Sequence, residues 1–296
     1  MFRVVGIGEL LWDLLPAGAQ IGGAPANFAY HAGALGAQAR TVSRIGDDTL
    51  GHEILAQLGT LGVSTECIQV DPALPTGTVA VEIDAEGQPR FEIRSNVAWD
   101  HLLVDDAAMH AVSSADAICF GTLAQRDPVS RAAIRTLVAA SPSEALRVLD
   151  VNLRQDFHSP ALIEESLVLA TVLKVNDAEL PRLASLFLLR GGVRSQLEQI
   201  AQRWQLNAIA LTRGDHGSIL LTTHGWSEHP GIRVDVKDTI GAGDSFTAAM
   251  TLGLLSGWAL DEVNEHANQV ASFVASRAGA TPPLPVAIRS AFLQRT

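Results

Sequence analysis

Cysteine is scarce in this chain of 296 residues, which contains only Cys67 and Cys119. Two isolated cysteines form neither the spaced pairs of a zinc site nor the framework of a disulfide-stabilised secreted domain. The nine histidines likewise form no ligand-spaced pair on a recognisable element. The N-terminus lacks the charged region, apolar run and cleavage site of a signal peptide. We therefore predict a protein of the reducing cytoplasm.

Basic charge and long apolar runs are also missing. The chain has 21 Lys and Arg against 32 Asp and Glu, a formal net charge of -11. A chain this acidic is not expected to take DNA or RNA as its main partner, although a nucleotide needs only a local anion site. No stretch of about 18 uninterrupted apolar residues occurs, so we predict no membrane span.

Two common phosphate-binding motifs are absent. Without a Gly-x-x-x-x-Gly-Lys-Ser/Thr loop, the chain is not a P-loop kinase. The start Gly6-x-Gly8 lacks the third glycine of a dinucleotide fingerprint, which weakens an oxidoreductase interpretation. There is also no internal repeat, low-complexity tract or obvious interdomain linker, and we predict a single domain over residues 1–296.

The chain does contain alternating strand and helix patterns. Short apolar, β-branched runs recur at Val4–Ile7, Thr41–Ile45, Ala117–Phe120, Leu146–Val151, Val172–Val175, Ala208–Thr212 and Ser218–Leu221. Helical patterns lie between most of them and dominate the last third, at 48–61, 128–140, 160–170, 194–204, 243–256, 260–277 and 285–293. The alternation predicts an α/β fold with parallel strands joined by right-handed crossovers.

One region breaks this alternation. Thr78–Ile83 and Arg90–Arg94 have apolar residues at alternate positions, and a turn pattern separates them at 84–89. Such a hairpin is either an edge of the main sheet or part of a small β lid over a site at the strand ends. Glu9–Leu15 and the segment around Trp99 could join a lid of this kind.

The most informative stretch is Asp238–Phe246. Three small residues, Gly241, Ala242 and Gly243, directly precede Asp244, and apolar residues follow at helical spacing. The pattern predicts a small-residue turn that opens a helix, whose free N–H groups attract an anion. Asp244 is then either an ordinary acid of the first turn or a base that takes a proton from an attacking hydroxyl. Phosphoryl transfer to an alcohol requires the second arrangement.

A second small-residue stretch, Gly22–Asn27, precedes a helix pattern rich in alanine and glycine. It is either a turn that packs a helix closely on the sheet or a backbone that admits a polyol, with Asn27 as donor and acceptor. Ligands of open α/β sheets lie beyond the carboxyl ends of the strands. Polar clusters at such predicted ends are Asp13, Gly22-Gly23, Asp150-Val151-Asn152, Asn176 and Thr212-Arg213-Gly214.

Together these motifs resemble the PfkB (ribokinase-like) family of carbohydrate kinases. The two signature patterns of the family match Gly22–Asn27, followed by Gly36 and Gly46, and Asp238–Asp244. Weaker marks follow the family order between and after them, at Asn176–Glu179, Thr212–Gly217 and Gly279–Ala280. The resemblance implies a ribokinase-like three-layer α/β/α fold with a mainly parallel central sheet. It also implies a small β lid formed by segments near 9–20 and 76–101.

The resemblance implies roles for individual residues of the reaction centre. Asp244 matches the catalytic base, and Gly241, Ala242 and Gly243 match the anion hole that stabilises the transferring phosphoryl group. The sugar-binding positions match Asp13, Gly23 and Asn27, and Arg94 on the predicted lid hairpin is a further candidate.

The nucleotide side is implied in the same way. Thr212, Gly214 and Gly217 match the ATP-binding turn. Asn268 resembles an adenine-side residue, with a solvated helix position as the alternative. Asn176 and Glu179 match an Asn-x-x-Glu element that helps place Mg2+ and phosphate largely through water, which is compatible with a helix N-cap. Asp238 resembles part of a monovalent-cation site, which suggests K+.

The acceptor is indicated less directly. Gly8–Pro16 and Val97–Asp100 resemble the fructokinase branch, so we predict an ATP-dependent sugar kinase acting on fructose. Asp150–Arg154 also occurs in 2-keto-3-deoxygluconate kinase-like relatives, and Arg154 either approaches a phosphate or caps a strand end. Ribose and nucleosides are further alternatives, and a non-catalytic sugar-binding protein is a remote one. Family members often dimerise through the lid, which suggests a homodimer.

Overall fold

The computed structural model describes residues 1–15, 18–83 and 89–293. Its strands are β1 (Arg3–Ile7), β2 (Leu11–Leu15), β3 (Gly18–Gly22), β4 (Gln38–Gly46), β5 (Ile68–Asp71), β6 (Gly77–Ile83), β7 (Pro89–Ile93), β8 (Ala117–Phe120), β9 (Leu146–Asp150), β10 (Val172–Asn176), β11 (Ala208–Thr212), β12 (Ser218–Thr222) and β13 (Gly225–His229). Its helices are α1 (Ala24–Ala34), α2 (Thr49–Thr60), α3 (Asp106–Ser113), α4 (Pro128–Ala139), α5 (Pro160–Leu169), α6 (Leu180–Phe187), α7 (Val193–Trp204), α8 (Ala242–Leu255), α9 (Leu260–Ala275) and α10 (Val286–Leu293).

The larger sheet has the strand order β13-β12-β11-β10-β9-β8-β1-β4-β5. Strands from β5 to β11 in this order run parallel, and β12 and β13 add an antiparallel edge. The chain leaves β1 for β4 on one side and later returns to β8 on the other. The carboxyl ends of the parallel strands therefore share one edge of the sheet, where ligands bind in such folds.

Helices cover both faces of this sheet. On one face, Ile134 of α4, Ile163 of α5 and Leu197 of α7 belong to one hydrophobic cluster. On the other, Phe28 of α1 and Phe246 of α8 belong to a second. Strands buried on both faces read as continuous apolar runs, which is why β8, with four buried residues in succession, was recognisable from sequence. The predicted three-layer α/β/α fold is confirmed.

A second sheet has the order β3-β2-β6-β7. The predicted hairpin forms as the antiparallel pair β6–β7, and β6 pairs in parallel with β2. The hairpin thus belongs to this small sheet, and the interpretation as an edge of the main sheet is wrong. The turn predicted at 84–89 lies largely outside the described residues, which resume at Pro89.

Most predicted elements lie within one to three residues of the observed ones, because burial and amphipathic spacing determine both. The strand β13 was not predicted, since Gly225–His229 is an edge strand with only one fully buried position and no apolar run. Helix α1 packs so closely on β1 that a Cβ on Gly6 would lie 2.2 Å from the Pro25 carbonyl oxygen. None of the helices within the described residues combines the length and apolar character needed to cross a membrane.

Candidate active site

Polar side chains collect at the carboxyl edge of the larger sheet. Glu9 follows β1 by two residues, while Asp150, Asn176 and Thr212 are the last residues of β9, β10 and β11. The first turns of α1 and α8 approach the same edge. This is the arrangement that the polar strand ends in the sequence predicted.

The two signature stretches meet through their side chains. Asn27 Nδ2 donates a hydrogen bond of 2.8 Å to Asp244 Oδ2, although the residues are 217 positions apart in the chain. Asn27 lies in the first turn of α1 and Asp244 in the first turn of α8. The contact fixes the orientation of the Asp244 carboxylate and leaves its second oxygen for another partner.

A tight loop opens α8. Gly241 has φ 76°, and a Cβ there would lie 2.5 Å from the Ala280 carbonyl oxygen, so only glycine fits. Asp238 fixes the loop by accepting hydrogen bonds from Ile240 N at 3.0 Å and Gly279 N at 3.1 Å. The N–H groups of Gly243 and Asp244 have no hydrogen-bond acceptor inside the helix, whereas Ala242 N donates to the Thr239 carbonyl at 3.3 Å. The groups of Gly243 and Asp244 lie where the sequence predicts the anion hole.

The environment of Asp244 changes its acidity. Burial raises the pKa of Asp244 to about 6, with a further increase from the Asp150 charge. The hydrogen bond from Asn27 and the charges of Lys174 and Arg154 act in the opposite direction. A carboxylate with a pKa near 6 is ionised at neutral pH yet is a stronger base than an exposed aspartate, as general-base catalysis requires.

A buried charge pair lies beneath the start of α8. Lys174 Nζ of β10 is 3.1 Å from Asp150 Oδ1 of β9, and both side chains are about 5% exposed. Thr247 Oγ1 donates to Asp150 Oδ2 at 3.1 Å. A Cβ placed on Gly243 would lie 3.1 Å from Lys174 Nζ, so the ammonium group directly underlies the first turn of α8.

The sugar-binding candidates lie on the small sheet and the start of α1. Asp13 lies on β2 beside β3, and a Cβ on Gly22 would lie 2.2 Å from Asp13 Oδ2, so a larger residue at position 22 would displace this carboxylate. Burial raises the pKa of Asp13 to about 6, which the Arg154 charge opposes and the Asp238 charge supports. Gly23 has φ 119° and lets α1 begin against the Glu9 carbonyl.

Glu9 is a further acid of the site. Its Oε1 accepts a hydrogen bond of 3.3 Å from Ala24 N at the start of α1, and burial raises its pKa to about 7. A cavity of about 10 Å3 lies between Glu9, Cys119, Asp150 and Asp244. This volume holds roughly one water molecule.

The Asn-x-x-Glu element forms a reciprocal cap. Asn176 Oδ1 accepts from Glu179 N at 2.9 Å, while Glu179 Oε2 accepts from Asn176 N at 2.9 Å. Glu179 Oε1 accepts from Leu153 N at 2.9 Å, and the side chain is buried. These bonds close a turn after β10, whereas α6 begins at Leu180 with Glu179 at its N-cap and no side-chain cap bond, so Asn176 is not the N-cap of that helix. Through Leu153 N the element joins β10 to the segment after β9.

The predicted nucleotide turn follows β11. Gly214 and Gly217 have φ 58° and 76°, and a Cβ on Gly217 would lie 2.1 Å from the His229 carbonyl oxygen. Thr212 ends β11 beside Asn176 of β10. The backbone thus requires glycine at position 217. The turn directly follows Thr212 and therefore lies next to the Asn-x-x-Glu element.

Asn268 lies on α9 and is 7% exposed, so the interpretation as a solvated helix position is wrong. Its Nδ2 lies 2.7 Å from Ser218 Oγ and 3.1 Å from Asn264 Oδ1. The structure therefore places Asn268 in a buried polar network with β12. Arg94 follows β7 at the end of the small sheet, where its side chain is exposed and its N–H donates to the Thr78 carbonyl at 3.1 Å.

Three functional candidates had no assigned role from the sequence: Glu9, Lys174 and Thr247. Lys174 interrupts the apolar run Val172–Val175, and a lysine inside a doubly buried strand is the signal that could have identified it. Glu9 follows a buried strand directly, but its contact with Ala24 depends on the tertiary path of the chain. No sequence pattern indicated Thr247, because a threonine in an apolar helix face fits ordinary packing.

The chain is similar to known kinases over nearly its whole length. An uncharacterised sugar kinase of Pyrococcus horikoshii has a solved structure with a TM-score of 0.83 at 27% identity, covering 98% of this chain and 96% of that one. The same kinase has been solved in complex with ATP. A fructokinase of Solanum tuberosum is 28% identical over 95% of this chain and 92% of its own. An ATP-bound fructokinase of Xylella fastidiosa, at 22% identity and TM-score 0.83, shares the fold.

The family itself is defined by a broader match. The sequence profile described as pfkB family carbohydrate kinase matches residues 18–287, which include both signature stretches and every motif between them. The chain therefore belongs to the pfkB family of carbohydrate kinases.

Proposed function

We propose that this carbohydrate kinase transfers the γ-phosphoryl group of ATP to a hydroxyl group of free fructose. The observation that carries the proposal is the partly buried Asp244 in the first turn of α8, held by Asn27 at 2.8 Å beside the N–H groups that open the helix. Relatives solved with ATP, at 27% and 22% identity, support ATP as the donor.

The reaction follows from this placement. Asp244 takes the proton of the sugar hydroxyl as that oxygen attacks the γ-phosphorus, and the bond from phosphorus to the β-phosphate oxygen breaks. The N–H groups at Gly241–Gly243 stabilise the charge on the transferring group. Asp13, Gly23 and Asn27 hold the sugar, while Thr212, Gly214, Gly217 and Asn268 form the nucleotide side.

Magnesium fits this site as an ion carried mainly by phosphate and water. No cluster of three or more His, Cys, Asp or Glu side chains suitable for a metal occurs in residues 1–15, 18–83 and 89–293. Both oxygens of Glu179 accept backbone hydrogen bonds, which leaves the carboxylate able to act on the ion through water. When bound, Mg2+ would neutralise phosphate charge. Asp238 would face a K+ ion at the loop before α8.

The acceptor is proposed from two sources. The Solanum tuberosum fructokinase aligns along 95% of the chain, and the opening and lid-side motifs resemble the fructokinase branch. A second candidate, 2-keto-3-deoxygluconate, is favoured by Arg154, whose charge acts on the carboxyl groups of Glu9, Asp13 and Asp244. A substrate carboxylate would find its counter-charge there.

An acceptor panel tests the proposal. Purified protein with ATP and Mg2+ is supplied with fructose, ribose, 2-keto-3-deoxygluconate or a nucleoside, and ADP release is measured. The highest kcat/KM is expected for fructose. The variant Arg154→Gln is the matched probe, because it should lower kcat/KM for 2-keto-3-deoxygluconate far more than for fructose. Higher kcat/KM for the keto acid than for fructose would replace fructose with the second candidate.

The assembly and location are proposed on family resemblance. The β2–β3–β6–β7 sheet is the surface that we propose for a homodimer, since family members often associate through it. Sedimentation velocity on the full chain, across a range of protein concentrations, measures this directly. The cytoplasm remains the location that the scarcity of cysteine predicts.

A further inference from the structure

The buried pair of Lys174 and Asp150 has a cost that packing alone does not explain. Both side chains are about 5% exposed, Asp150 at the end of β9 and Lys174 in the middle of the neighbouring strand β10. Well-packed apolar residues usually stabilise a protein at least as much as a buried ion pair does. We therefore expect the pair to have a role at its own location, which is directly beneath the first turn of α8.

The contacts of the pair lead to the base. Thr247 Oγ1 lies 3.1 Å from Asp150 Oδ2 and 2.9 Å from the Gly243 carbonyl, so one hydroxyl group connects the pair to the turn that contains Asp244. Lys174 Nζ underlies Gly243. Asp150, Thr247 and Asp244 also line the same small cavity.

We propose that Lys174 and Asp150 are positioning residues for phosphoryl transfer: one fixed positive and one fixed negative charge beneath α8 set how readily Asp244 accepts the hydroxyl proton. The proposal rests on Asp244 as the base of the proposed function. Neither residue needs to touch the sugar, because charges in a water-poor site act across several ångströms.

The two charges act in opposite directions. The negative charge of Asp150 raises the pKa of Asp244, and the positive charge of Lys174 lowers it. Other polar or titratable groups face Asp244 from every packed element, and these are Asn27 on α1, Glu9 after β1, Cys119 on β8 and Arg154 after β9. Within residues 1–15, 18–83 and 89–293, the pair alone places both signs of charge in hydrogen-bonded contact with each other and directly below the turn.

The test is the pH profile of kcat/KM for the sugar at saturating ATP and Mg2+. Asp150→Asn should move the acid limb down by about one pH unit, since it removes the negative neighbour. Lys174→Met should move the acid limb to higher pH by a similar amount, because the negative charge of Asp150 is then no longer compensated. The double variant should return the limb to within about 0.3 units of wild type, since no net charge is lost.

A matched control separates this role from structural support. Arg44 of β4 and Asp71 of β5 form another largely buried ion pair, with 3.0 Å between Nη2 and Oδ2. Arg44→Met removes this pair. It should lower the melting temperature and leave the acid limb unchanged. A purely structural role for Lys174 and Asp150 would give the same result as the control, with lower activity at every pH and no opposed shifts.

The outcomes distinguish the two proposals. A wild-type protein that phosphorylates no acceptor would overturn the proposed function. An active wild type whose acid limb is unmoved in both single variants, or moved in the same direction, would overturn the role of the pair. Each single variant has its own expected direction of shift of the acid limb, so one folded variant is enough to test the role of the pair. Lys174→Gln replaces Lys174→Met if the latter does not fold. Glu9 and Asp13 also have pKa values that burial raises into this range, so the profiles are repeated in a Glu9→Gln and in an Asp13→Asn background.

Discussion

The two halves of the site differ in how firmly the fold holds them. The phosphate half is built from the first turn of α8 and the ends of β9 and β10, where Asp150 and Lys174 are almost fully buried. The sugar half depends on the small sheet, where Asp13 is partly exposed and Arg94 is exposed. Packing therefore constrains the buried charges of the phosphate half more tightly than the exposed side chains of the sugar half.

This contrast explains how one family can phosphorylate different sugars. A substitution in the phosphate half meets backbone at 2 to 3 Å, as at Gly241, whereas surface positions of the small sheet can change side chains without disturbing the core. Reaction type should therefore be sensitive to substitutions in the first region, and sugar choice to substitutions in the second.

The largest expected effect is in the phosphate half. Asp244→Asn keeps an oxygen for the hydrogen bond from Asn27 but cannot accept the hydroxyl proton. We expect kcat to fall by about 100- to 10,000-fold, the range for removal of a general base, with ATP binding preserved. Steady-state kinetics and calorimetric titration with ATP measure both.

The matched control for that variant is Asp261→Asn, in the exposed first turn of α9. It removes an acid from an equivalent helix position without a site, so kcat should stay within a factor of about two of wild type. Comparable losses in the two variants would mean that Asp244 is only a partner of the helix dipole.

A smaller effect is expected in the sugar half. Asp13→Asn removes a charge that strengthens hydrogen bonds to two hydroxyl groups, so KM for the sugar should rise by about 10- to 100-fold. The KM for ATP and the kcat should change little, because the hydrogen bonds from the sugar to Asp13 are made equally in the bound ground state and in the transition state.

Glu92→Gln on β7 is the control for charge loss from the same sheet, since its side chain is exposed. It should leave both KM values unchanged. An equal rise of the KM for ATP in Asp13→Asn would indicate a disturbed lid rather than a lost sugar contact, and would weaken the division of the site into two halves.

The same division governs what the sequence could predict. Buried strands such as β8 and the small-residue start of α8 were predictable because burial and backbone geometry restrict residue type locally. The Asn27–Asp244 contact was not predicted, since 217 residues separate its partners and only the fold brings them together. Lys174 was missed because an isolated lysine has no local pattern, and its role depends on Asp150 from another strand. The sugar stays a proposal because few packing constraints act on the small sheet.

The smallest expected effect is on stability. It tests whether the burial of acidic side chains in this site destabilises the folded protein. Burial raises the pKa of Glu9 from 4.5 to about 7. The folded state therefore favours protonated Glu9, and this contribution is complete below pH 4.5 and lost as the pH rises through about 7. Glu9→Gln keeps an acceptor for Ala24 N but cannot ionise. It should leave the free energy of unfolding nearly unchanged at pH 4.5 and raise it by about 3 kcal/mol at pH 8.

Asp48→Asn supplies a control of opposite sign, measured by urea unfolding at the same pH values. Burial acts to raise the pKa of Asp48, but hydrogen bonds from Thr76 and Gly51 outweigh it and lower the pKa from its ordinary value. Its ionised form therefore stabilises the fold above pH 4, so Asp48→Asn should destabilise the protein at pH 8 and lose that effect as the pH falls through the lowered pKa. If Glu9→Gln gave the same difference at both pH values, Glu9 would act through packing alone. A difference that grows with pH would instead show that the fold gives up stability at neutral pH to keep ionised carboxylates beside the phosphate half.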